Sequence, residues 1–579
     1  MSVTQTASAA VQDRVEHVEV LIVGAGISGI GAAYHLREQS PGKSLAVLDA
    51  LPSHGGTWWT HTYPGVRSDS DLFTFGYRFK PWRGPAIATS EEILHYLEEV
   101  ITENGLDTYI RCQHRITSAS WSTADRRWTV DVTRTDTGEA LRLTTDFLWM
   151  CQGYYRHDQG YTPQWPGAEL FQGTILHPQT WPEELDYAGK QVVVIGSGST
   201  AATLIPAIAE TAAHVTMLQR SPTLFFARPK THELAGTLRA LDVPDEWTHE
   251  ILRRAYIAEL NELTRMSFES PAELREFLIA ATREQLPADF DVDKHFNPTY
   301  RPWQQRIAVL PDGDLFAAIR EGQASVVTDT IQTLTESGIL LASGETLEAD
   351  IVVTATGFDL SVFGDIAFSV DDRSFDFSES VTYRGLMFTG LPNLAYAFGY
   401  FRHSWTLRAD LICDFVCRLL NQMQEKGATM VLPTLRDSDA GMALGPWVDP
   451  ENFNPVTFPA RCISCPSRAT GSPGPTCTST PRSGSCSQQP ILTTAPSSSA
   501  ESAVRRDRHA RQRHPWRRGP ARGTRTSPAR AQPPLVCPAA VHELVQGLAV
   551  DIGADRCVEL LPIWANRTVK AISMICLIV

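Results

Sequence analysis

Residues 18–29 read VEVLIVGAGISG and decide the fold of the N-terminal part of the chain. The apolar, β-branched run that ends at Val23 predicts a buried parallel strand, and the segment IGAAYHLREQ after residue 29 predicts a helix. Between them lie three glycines with the spacing of a dinucleotide-binding turn: Gly24, Gly26 and Gly29. These glycines allow a tight turn, close approach of backbone to a pyrophosphate and tight helix–strand packing. A second apolar run ends at Asp49, which is placed to accept hydrogen bonds from ribose hydroxyls.

Residues 190–201, KQVVVIGSGSTA, repeat the pattern of strand, turn and helix. The turn residues expected to bind a second dinucleotide are Gly196, Gly198, Ser199 and Thr200. The strand after this helix ends at Arg220 and Ser221 rather than at an acid. A carboxylate there would repel a 2′-phosphate, whereas a guanidinium can bind one through two hydrogen bonds. An acid at one site and an arginine at the other predict two different cofactors, FAD and NADPH.

Length and composition limit the class of protein. With 579 residues the chain is expected to form more than one domain, and 43% hydrophobic and 20% charged residues are ordinary for a globular protein. A net charge of −14 offers no electrostatic attraction for nucleic acid. The sequence has no run of eighteen apolar residues and no secretory signal at its N-terminus. We therefore predict a cytoplasmic protein with no membrane span and no nucleic-acid partner.

A third motif lies between the two glycine turns. It reads FxGxxxHxxxWP, and its fixed positions are Phe171, Gly173, His177, Trp181 and Pro182. With this motif the chain resembles the class B flavoprotein monooxygenases, specifically the type I Baeyer–Villiger monooxygenases and their ethionamide-activating subgroup. The resemblance covers about residues 18–455 and extends to GGTW at 55–58, YPGVRSDSD at 63–71 and TATGFD at 354–359. It implies that His177 belongs to a hinge-like linker between the two dinucleotide domains.

The resemblance also implies a reaction. NADPH would reduce FAD, and the reduced flavin would bind dioxygen as a C4a-peroxide. This group would insert one oxygen atom into hydrophobic ketones, giving esters or lactones, and would oxygenate sulfur compounds such as sulfides and thioamides. Two alternatives remain open: an N-hydroxylating flavin monooxygenase, which Trp181 and Pro182 disfavour, and a flavin-binding NADPH oxidase that is uncoupled by its C-terminus.

Candidate site residues follow from the same resemblance. Arg306 matches the active-site arginine of the family, with Arg301 as its nearest competitor, and an arginine keeps its charge at any working pH. A fixed cation would stabilise the anionic oxygen that develops during attack on a carbonyl. Asp69 matches the acid paired with this arginine, although Asp71 lies only two positions away. Four further residues are expected to flank the flavin: Thr57, Trp58, Thr356 and Gly357.

The expected fold class is α/β, with two Rossmann-like dinucleotide-binding domains, a helical insertion and an irregular C-terminal tail. Both domains are predicted to be discontinuous in sequence. The predicted boundaries are a leader at 1–15, the FAD domain at 16–152 and 353–455, the NADPH domain at 153–230 and 301–352, the helical insertion at 231–300 and the tail at 456–579.

The tail differs from the rest of the chain in composition. Residues 461–579 contain sixteen basic and six acidic residues and seven of the eleven cysteines. Such composition predicts disorder. Codons for residues 461–471 can also be read in a shifted frame as LHLLPKQGDR, a segment typical of the family, so a frameshift near Pro455 is our hypothesis. An arginine-rich nucleic-acid arm is a weaker interpretation. Sequencing that gene region and finding no shifted open frame would contradict the frameshift.

Overall fold

The computed structural model describes residues 15–439 and 441–446, together with the backbone of two short strands, Ser467–Ala469 and Leu492–Pro496. The rest of the predicted tail, and all of the predicted leader except residue 15, lie outside the described residues. The disorder and frameshift hypotheses for the tail therefore stay predictions.

The strand that precedes the first glycine turn spans Glu16–Val23 and lies inside a nine-stranded sheet. Its neighbours Leu45–Leu48 and Ala140–Met150 both run parallel to it, with Val20 opposite Leu45 and Phe147. Because the strand is covered on both faces, its sequence is a continuous apolar run rather than an alternating one. The sheet order is Arg373–Ser374, Ala367–Val370, His114–Ser122, Arg127–Arg134, Ala140–Met150, Glu16–Val23, Leu45–Leu48 and Ile110–Arg111, with Leu394–Tyr396 also paired to Ala140–Met150.

The second glycine turn belongs to a separate five-stranded parallel sheet. Its central strand, Gln191–Ile195, lies between His214–Gln219 and Ile351–Thr354. The full order is Ala324–Thr328, His214–Gln219, Gln191–Ile195, Ile351–Thr354 and Thr174–Leu176. Two such sheets with their helices confirm the predicted α/β fold with two Rossmann-like domains. The edge strand Thr174–Leu176 comes from the FxGxxxHxxxWP motif, so part of this linker is integrated into the second sheet.

A helical segment follows the strand Phe225–Arg228 in the chain. Its helices are Glu233–Ala240, Asp245–Glu269, Pro271–Gln285 and Val292–Phe296. Acidic residues in the first turn of the long helix and a proline at the start of the next are favourable at helix N-termini. Arg253 on the long helix donates to the carbonyl oxygen of Phe73 at 2.9 Å and to that of Gly76 at 3.2 Å. The helical segment is thereby fixed against the first domain.

The remaining elements complete the two domains. The other α-helices are Ile27–Gln39, Thr57–Thr60, Leu72–Phe75, Ser90–Glu103, Ser199–Ala209, Asp314–Arg320 and Trp405–Glu425, and the 3₁₀ helices are Ala168–Leu170, Pro178–Thr180, Phe377–Glu379 and Asp437–Asp439. Strand pairs outside the two sheets are Tyr155–Gly160 with Phe358–Leu360, Phe225–Arg228 with Ala308–Pro311, Thr382–Tyr383 with Met387–Phe388, Ala428–Pro433 with Leu492–Pro496, and Leu444–Pro446 with Ser467–Ala469. A three-stranded sheet contains Ile331–Leu334, Gly338–Leu341 and Thr346–Glu348. Among the described residues, no helix is long and apolar enough to cross a membrane.

Candidate active site

The first glycine turn is closed by contacts that only glycine allows. Gly24 has a φ of +98°, and a Cβ on it would lie 2.7 Å from the Cα of Gln152. A Cβ on Gly29 would lie 1.8 Å from the carbonyl oxygen of Gly24. Gly26 caps the helix Ile27–Gln39 without a side-chain hydrogen bond. The turn therefore presents free backbone N–H groups and a positive helix end, which suit the diphosphate of FAD.

Asp49 has a structural role in addition to the predicted contact with ribose. Its Oδ2 accepts a hydrogen bond from the backbone N–H of Ala25 at 2.6 Å, and its Oδ1 accepts from that of Leu51 at 2.8 Å. Burial raises the pKa of Asp49, and these two hydrogen bonds act in the opposite direction. The acid thus fixes the glycine turn while each of its oxygens keeps a lone pair for a ribose hydroxyl.

The residues expected to flank the flavin occupy two short segments. Thr57 and Trp58 begin the helix Thr57–Thr60, and the Trp58 ring lies edge-on to Phe75 with 5.6 Å between centroids. Thr356 donates its hydroxyl to the carbonyl oxygen of Tyr161 at 2.6 Å. Gly357 follows with a φ of +105°. The turn at 354–357 is therefore held by side-chain contacts, and its flavin-binding role stays a prediction.

The second glycine turn is tightly packed at its first glycine and open at its second. A Cβ on Gly196 would lie 2.3 Å from the carbonyl oxygen of Ala355, whereas a Cβ on Gly198 would meet no atom within 4 Å. Ser199 begins the helix Ser199–Ala209 directly beside this space. Arg220 and Ser221 are exposed. This arrangement fits a diphosphate at the turn and a 2′-phosphate at Arg220.

His177 is a neutral connector between the linker and the turn at Gly357. Its Nδ1 accepts from the backbone N–H of Gln179 at 3.1 Å, so Nε2 carries the hydrogen and donates to the carbonyl oxygen of Gly357 at 2.9 Å. Burial lowers the pKa of His177, which favours the neutral ring. A Cβ on Gly160 would lie 2.0 Å from this ring, so the histidine also packs on the strand Tyr155–Gly160.

The other fixed positions of the linker motif make packing contacts. A Cβ on Gly173 would lie 2.3 Å from the carbonyl oxygen of Asp350 and 2.6 Å from the ring of Phe171. Trp181 lies edge-on to Tyr187 with 6.2 Å between ring centroids, and Pro182 is exposed. These contacts support a coupling role for the linker, which stays a prediction.

Arg306 and Asp69 form a two-point ion pair. The Arg306 Nε lies 2.6 Å from Asp69 Oδ2, and one terminal nitrogen donates to Oδ1 at 2.7 Å. Arg301 lies elsewhere, donating to the carbonyl oxygen of Ser267 at 2.8 Å and stacking over Phe268 at 4.4 Å. Of the two candidate arginines, only Arg306 is therefore paired with Asp69. Their catalytic role is a proposal that we argue below.

The protein keeps the Arg306 guanidinium charged. Burial opposes the charged form, but the negative charge of Asp69, its hydrogen bond and the nearby hydroxyls of Tyr154 and Tyr155 outweigh it and raise the pKa of Arg306. The side chain is nevertheless 39% exposed, and it lines a cavity. A permanent positive charge is thus presented to the space in which a substrate can bind.

This cavity has apolar walls and a few charged groups. Its empty space is about 740 Å³, open solvent at the mouth included, and the helical segment contributes Tyr256, Leu260 and Leu263 to the lining. The charged lining residues are Asp69, Asp71, Arg228, Arg306 and Arg402. Residues 402–404 also line the cavity, whereas Met387 and Phe388 are packed in hydrophobic clusters.

Asp71 does not compete with Asp69 for the arginine. It caps the short helix Leu72–Phe75, accepting from the backbone N–H of Thr74 at 2.8 Å and from its hydroxyl at 2.7 Å. Burial raises the pKa of Asp71 to about 6, partly offset by these hydrogen bonds. Although only two positions separate the two acids, Asp71 is committed to this helix N-terminus, whereas Asp69 pairs with Arg306.

Sequence reasoning missed two groups near the site. Tyr154 and Tyr155 follow Gly153 and join their hydroxyls at 2.9 Å beside Arg306. Arg228 donates to both oxygens of Glu259, at 3.0 and 2.8 Å, across the cavity wall. The tyrosines could have been suspected, since they follow the carboxyl end of a strand in an open α/β sheet, where ligands bind. Nothing local in the sequence indicates the Arg228–Glu259 pair.

Two dinucleotide turns with different phosphate environments, and a cavity with a cationic wall, define a flavin- and nicotinamide-dependent oxygenase. Residues 79–236 match the flavin-binding monooxygenase-like family, and residues 22–87 match the NAD(P)-binding Rossmann-like domain. The chain is 47% identical over 460 residues to the FAD-containing monooxygenase EthA of Mycolicibacterium smegmatis, an alignment that covers 79% of this chain and 92% of that protein. EthA of Mycobacterium tuberculosis strain H37Rv is 47% identical, with 73% and 86% covered. The chain belongs to the family of FAD-containing, NADP-dependent monooxygenases.

Solved structures agree with this assignment. An oxidized steroid monooxygenase bound to NADP is 25% identical with a TM-score of 0.59, covering 72% of this chain and 88% of that one. The cyclohexanone monooxygenase from Rhodococcus sp. Phi1 bound to NADP⁺ has the same TM-score at 22% identity, covering 72% and 87%, and shows the fold alone. The predicted family, enzyme class and cofactors, FAD and NADPH, are thereby confirmed.

Proposed function

We propose that this monooxygenase inserts one oxygen atom of dioxygen into hydrophobic ketones, giving esters or lactones, and also oxygenates sulfur compounds such as sulfides and thioamides. The observation that carries the proposal is the Arg306–Asp69 pair on the cavity wall. Attack on a carbonyl creates a negatively charged oxygen, and a fixed cation in a partly water-excluded site stabilises such a charge. Oxygenation of sulfur does not create one.

Different residues of this chain bind the substrate and stabilise the developing charge. FAD, reduced by NADPH, supplies the activated oxygen when it is bound. Arg306 presents a permanent positive charge, and Asp69 fixes the plane of the guanidinium through two contacts. The apolar wall contributed by Leu260 and Leu263 excludes water and favours alkyl groups over charged ones.

The linker residues support the binding of two cofactors to one catalytic unit. His177 joins the edge of the second sheet to the turn at Gly357 through a single hydrogen bond from Nε2. We infer that this contact keeps the flavin-side turn aligned with the nicotinamide domain. The histidine is a positioning residue, because both of its ring nitrogens are engaged in hydrogen bonds to backbone groups.

The test uses the purified full-length chain with NADPH, ¹⁸O₂ and either a long-chain methyl ketone or an alkyl sulfide, with products analysed by mass spectrometry. We expect an ester and a sulfoxide that each carry one labelled oxygen. Arg306→Met should lower the ester yield by about 100-fold or more, the loss typical of an oxyanion-stabilising group, and should spare most of the sulfoxide.

Arg301→Met is the matched control, since that arginine lies against Ser267 and Phe268 rather than Asp69. It should retain the ester. Equal loss of ester and sulfoxide in Arg306→Met would contradict the assigned role. NADPH consumption by the wild-type chain with hydrogen peroxide as the only oxygen product would instead favour the uncoupled oxidase.

A further inference from the structure

The segment that carries Asp69 is packed directly on the helix of the second dinucleotide turn, Ser199–Ala209. Gly65 has a φ of +76°, and a Cβ on it would lie 2.5 Å from the Cβ of Ala207 and 2.9 Å from the carbonyl oxygen of Thr203. The side chain of Tyr63 lies beside that of Thr200 on the same helix. Both the positive φ and the close contact with this helix favour a glycine at position 65, and the contact limits where the segment leading to Asp69 can lie.

At the N-terminus of the same helix, Ser199 touches the acid itself. The Ser199 hydroxyl donates to Asp69 Oδ2 at 3.0 Å. The same oxygen lies 2.6 Å from Arg306 Nε, and Oδ1 accepts from the guanidinium at 2.7 Å. Two successive contacts therefore connect the first residue of the nucleotide-binding helix to the cation on the cavity wall.

A serine hydroxyl has one proton to donate. A carboxylate and an ionised diphosphate are both acceptors only, so Ser199 can donate to Asp69 or to a bound dinucleotide but not to both at once. The diphosphate has other donors, because the backbone N–H groups at a helix N-terminus bind phosphate without a side chain. Among the described residues, Asp69 Oδ2 contacts Ser199 and Arg306 itself, so Ser199 is the donor that can orient the carboxylate independently of the arginine.

We propose that Ser199 is a positioning residue for Arg306: it orients the Asp69 carboxylate and is not primarily a phosphate ligand. The inference rests on the proposed role of Arg306. Removal of the hydroxyl should leave NADPH binding nearly intact while the guanidinium loses its fixed orientation. The activated oxygen should then be lost more often as hydrogen peroxide instead of reaching substrate.

The test compares Ser199→Ala and Ser199→Thr with the wild-type holoenzyme. At saturating NADPH, Ser199→Ala should lower the yield of ester per NADPH by about threefold or more, with the KM for NADPH changed by less than about twofold. Ser199→Thr restores a hydroxyl and should restore the yield. A raised KM with an unchanged yield would show a phosphate ligand and would overturn the proposal.

A double-mutant cycle tests whether the effect passes through the acid. In an Asp69→Ala background, adding Ser199→Ala should produce no further loss of yield, and a further loss of similar size would overturn the proposal.

A second measurement does not depend on product formation. If the wild-type chain forms no oxygenated product at all, the proposed function has failed. The inference is then tested by the change in flavin absorbance on adding NADP⁺. Ser199→Ala and Asp69→Ala should give the same altered difference spectrum. A wild-type spectrum in Ser199→Ala would overturn the inference.

Discussion

At the scale of single residues, glycines at different positions of the two dinucleotide turns have different physical reasons. A Cβ on Gly29 would overlap the carbonyl oxygen of Gly24 at 1.8 Å, so this glycine is required by the protein itself. A Cβ on Gly198 would meet nothing within 4 Å, and its backbone has an ordinary φ of −78°. Packing within the chain therefore does not require a glycine at position 198, and the remaining reason for one is close approach of the cofactor.

Alanine substitutions should separate these two reasons. Gly29→Ala should yield protein without bound FAD or no folded protein, since a backbone atom blocks the new methyl group. Gly198→Ala should retain FAD and melt within about 2 °C of the wild type, while its affinity for NADPH falls by about tenfold or more. Flavin absorbance, thermal melting and a titration with NADP⁺ provide the measurements. Unchanged NADP⁺ affinity in Gly198→Ala would show that the diphosphate binds elsewhere.

At the scale of elements, the sequence predicts what is local. The strands before the glycine turns and the helices after them are predictable because apolar runs, glycine spacing and helix formers all lie within about thirty residues. The Asp69–Arg306 contact joins segments 237 positions apart, and only the family resemblance indicated it. The edge strand Thr174–Leu176 has only three residues, which is too short for a sequence pattern to predict a strand.

One buried arginine contributes to the attachment of the helical segment. Arg253 is 9% exposed and donates to main-chain carbonyls of the first domain. Arg253→Met should leave these carbonyls without their donor and lower the free energy of unfolding by about 2–4 kcal/mol. Arg254→Met is the matched control, because Arg254 is 75% exposed and pairs only with Glu250, and should change stability by less than about 0.5 kcal/mol. Denaturant titration measures both, and equal effects would contradict the assigned contact.

At the scale of the whole molecule, several buried histidines are neutral in the folded protein. Burial lowers the pKa of His61, His249 and His403 from 6.5 to about 4, with a further decrease from Arg253 at His249 and from Arg402 at His403. Above pH 6.5 these rings are neutral in the folded and the unfolded chain alike. As the pH falls toward 4, the unfolded chain binds protons that the folded chain does not, so stability is lost in that window.

The free energy of unfolding should therefore fall by about 1.4 kcal/mol per pH unit for each such histidine between pH 6.5 and 4. Asp71 has the opposite effect on stability below pH 6. Burial raises its pKa, so the folded chain binds a proton that the unfolded chain does not, and this cancels the contribution of one histidine to the slope. Urea denaturation at pH 7.5, 6 and 5 measures the slope. His249→Gln should reduce the slope by one proton equivalent, and a free energy that is flat over this range would contradict the assignment.

The order in which the strands pair has a consequence for synthesis on the ribosome. The first sheet includes Ala367–Val370 and Leu394–Tyr396, which pair with strands made more than two hundred residues earlier. All five strands of the second sheet lie between residues 174 and 354. The second sheet can close while the first still lacks its last strands, so the first sheet is completed only after all strands of the second have emerged. During that interval the nascent chain exposes an unfinished sheet edge, which makes chaperone binding most valuable in the middle of translation.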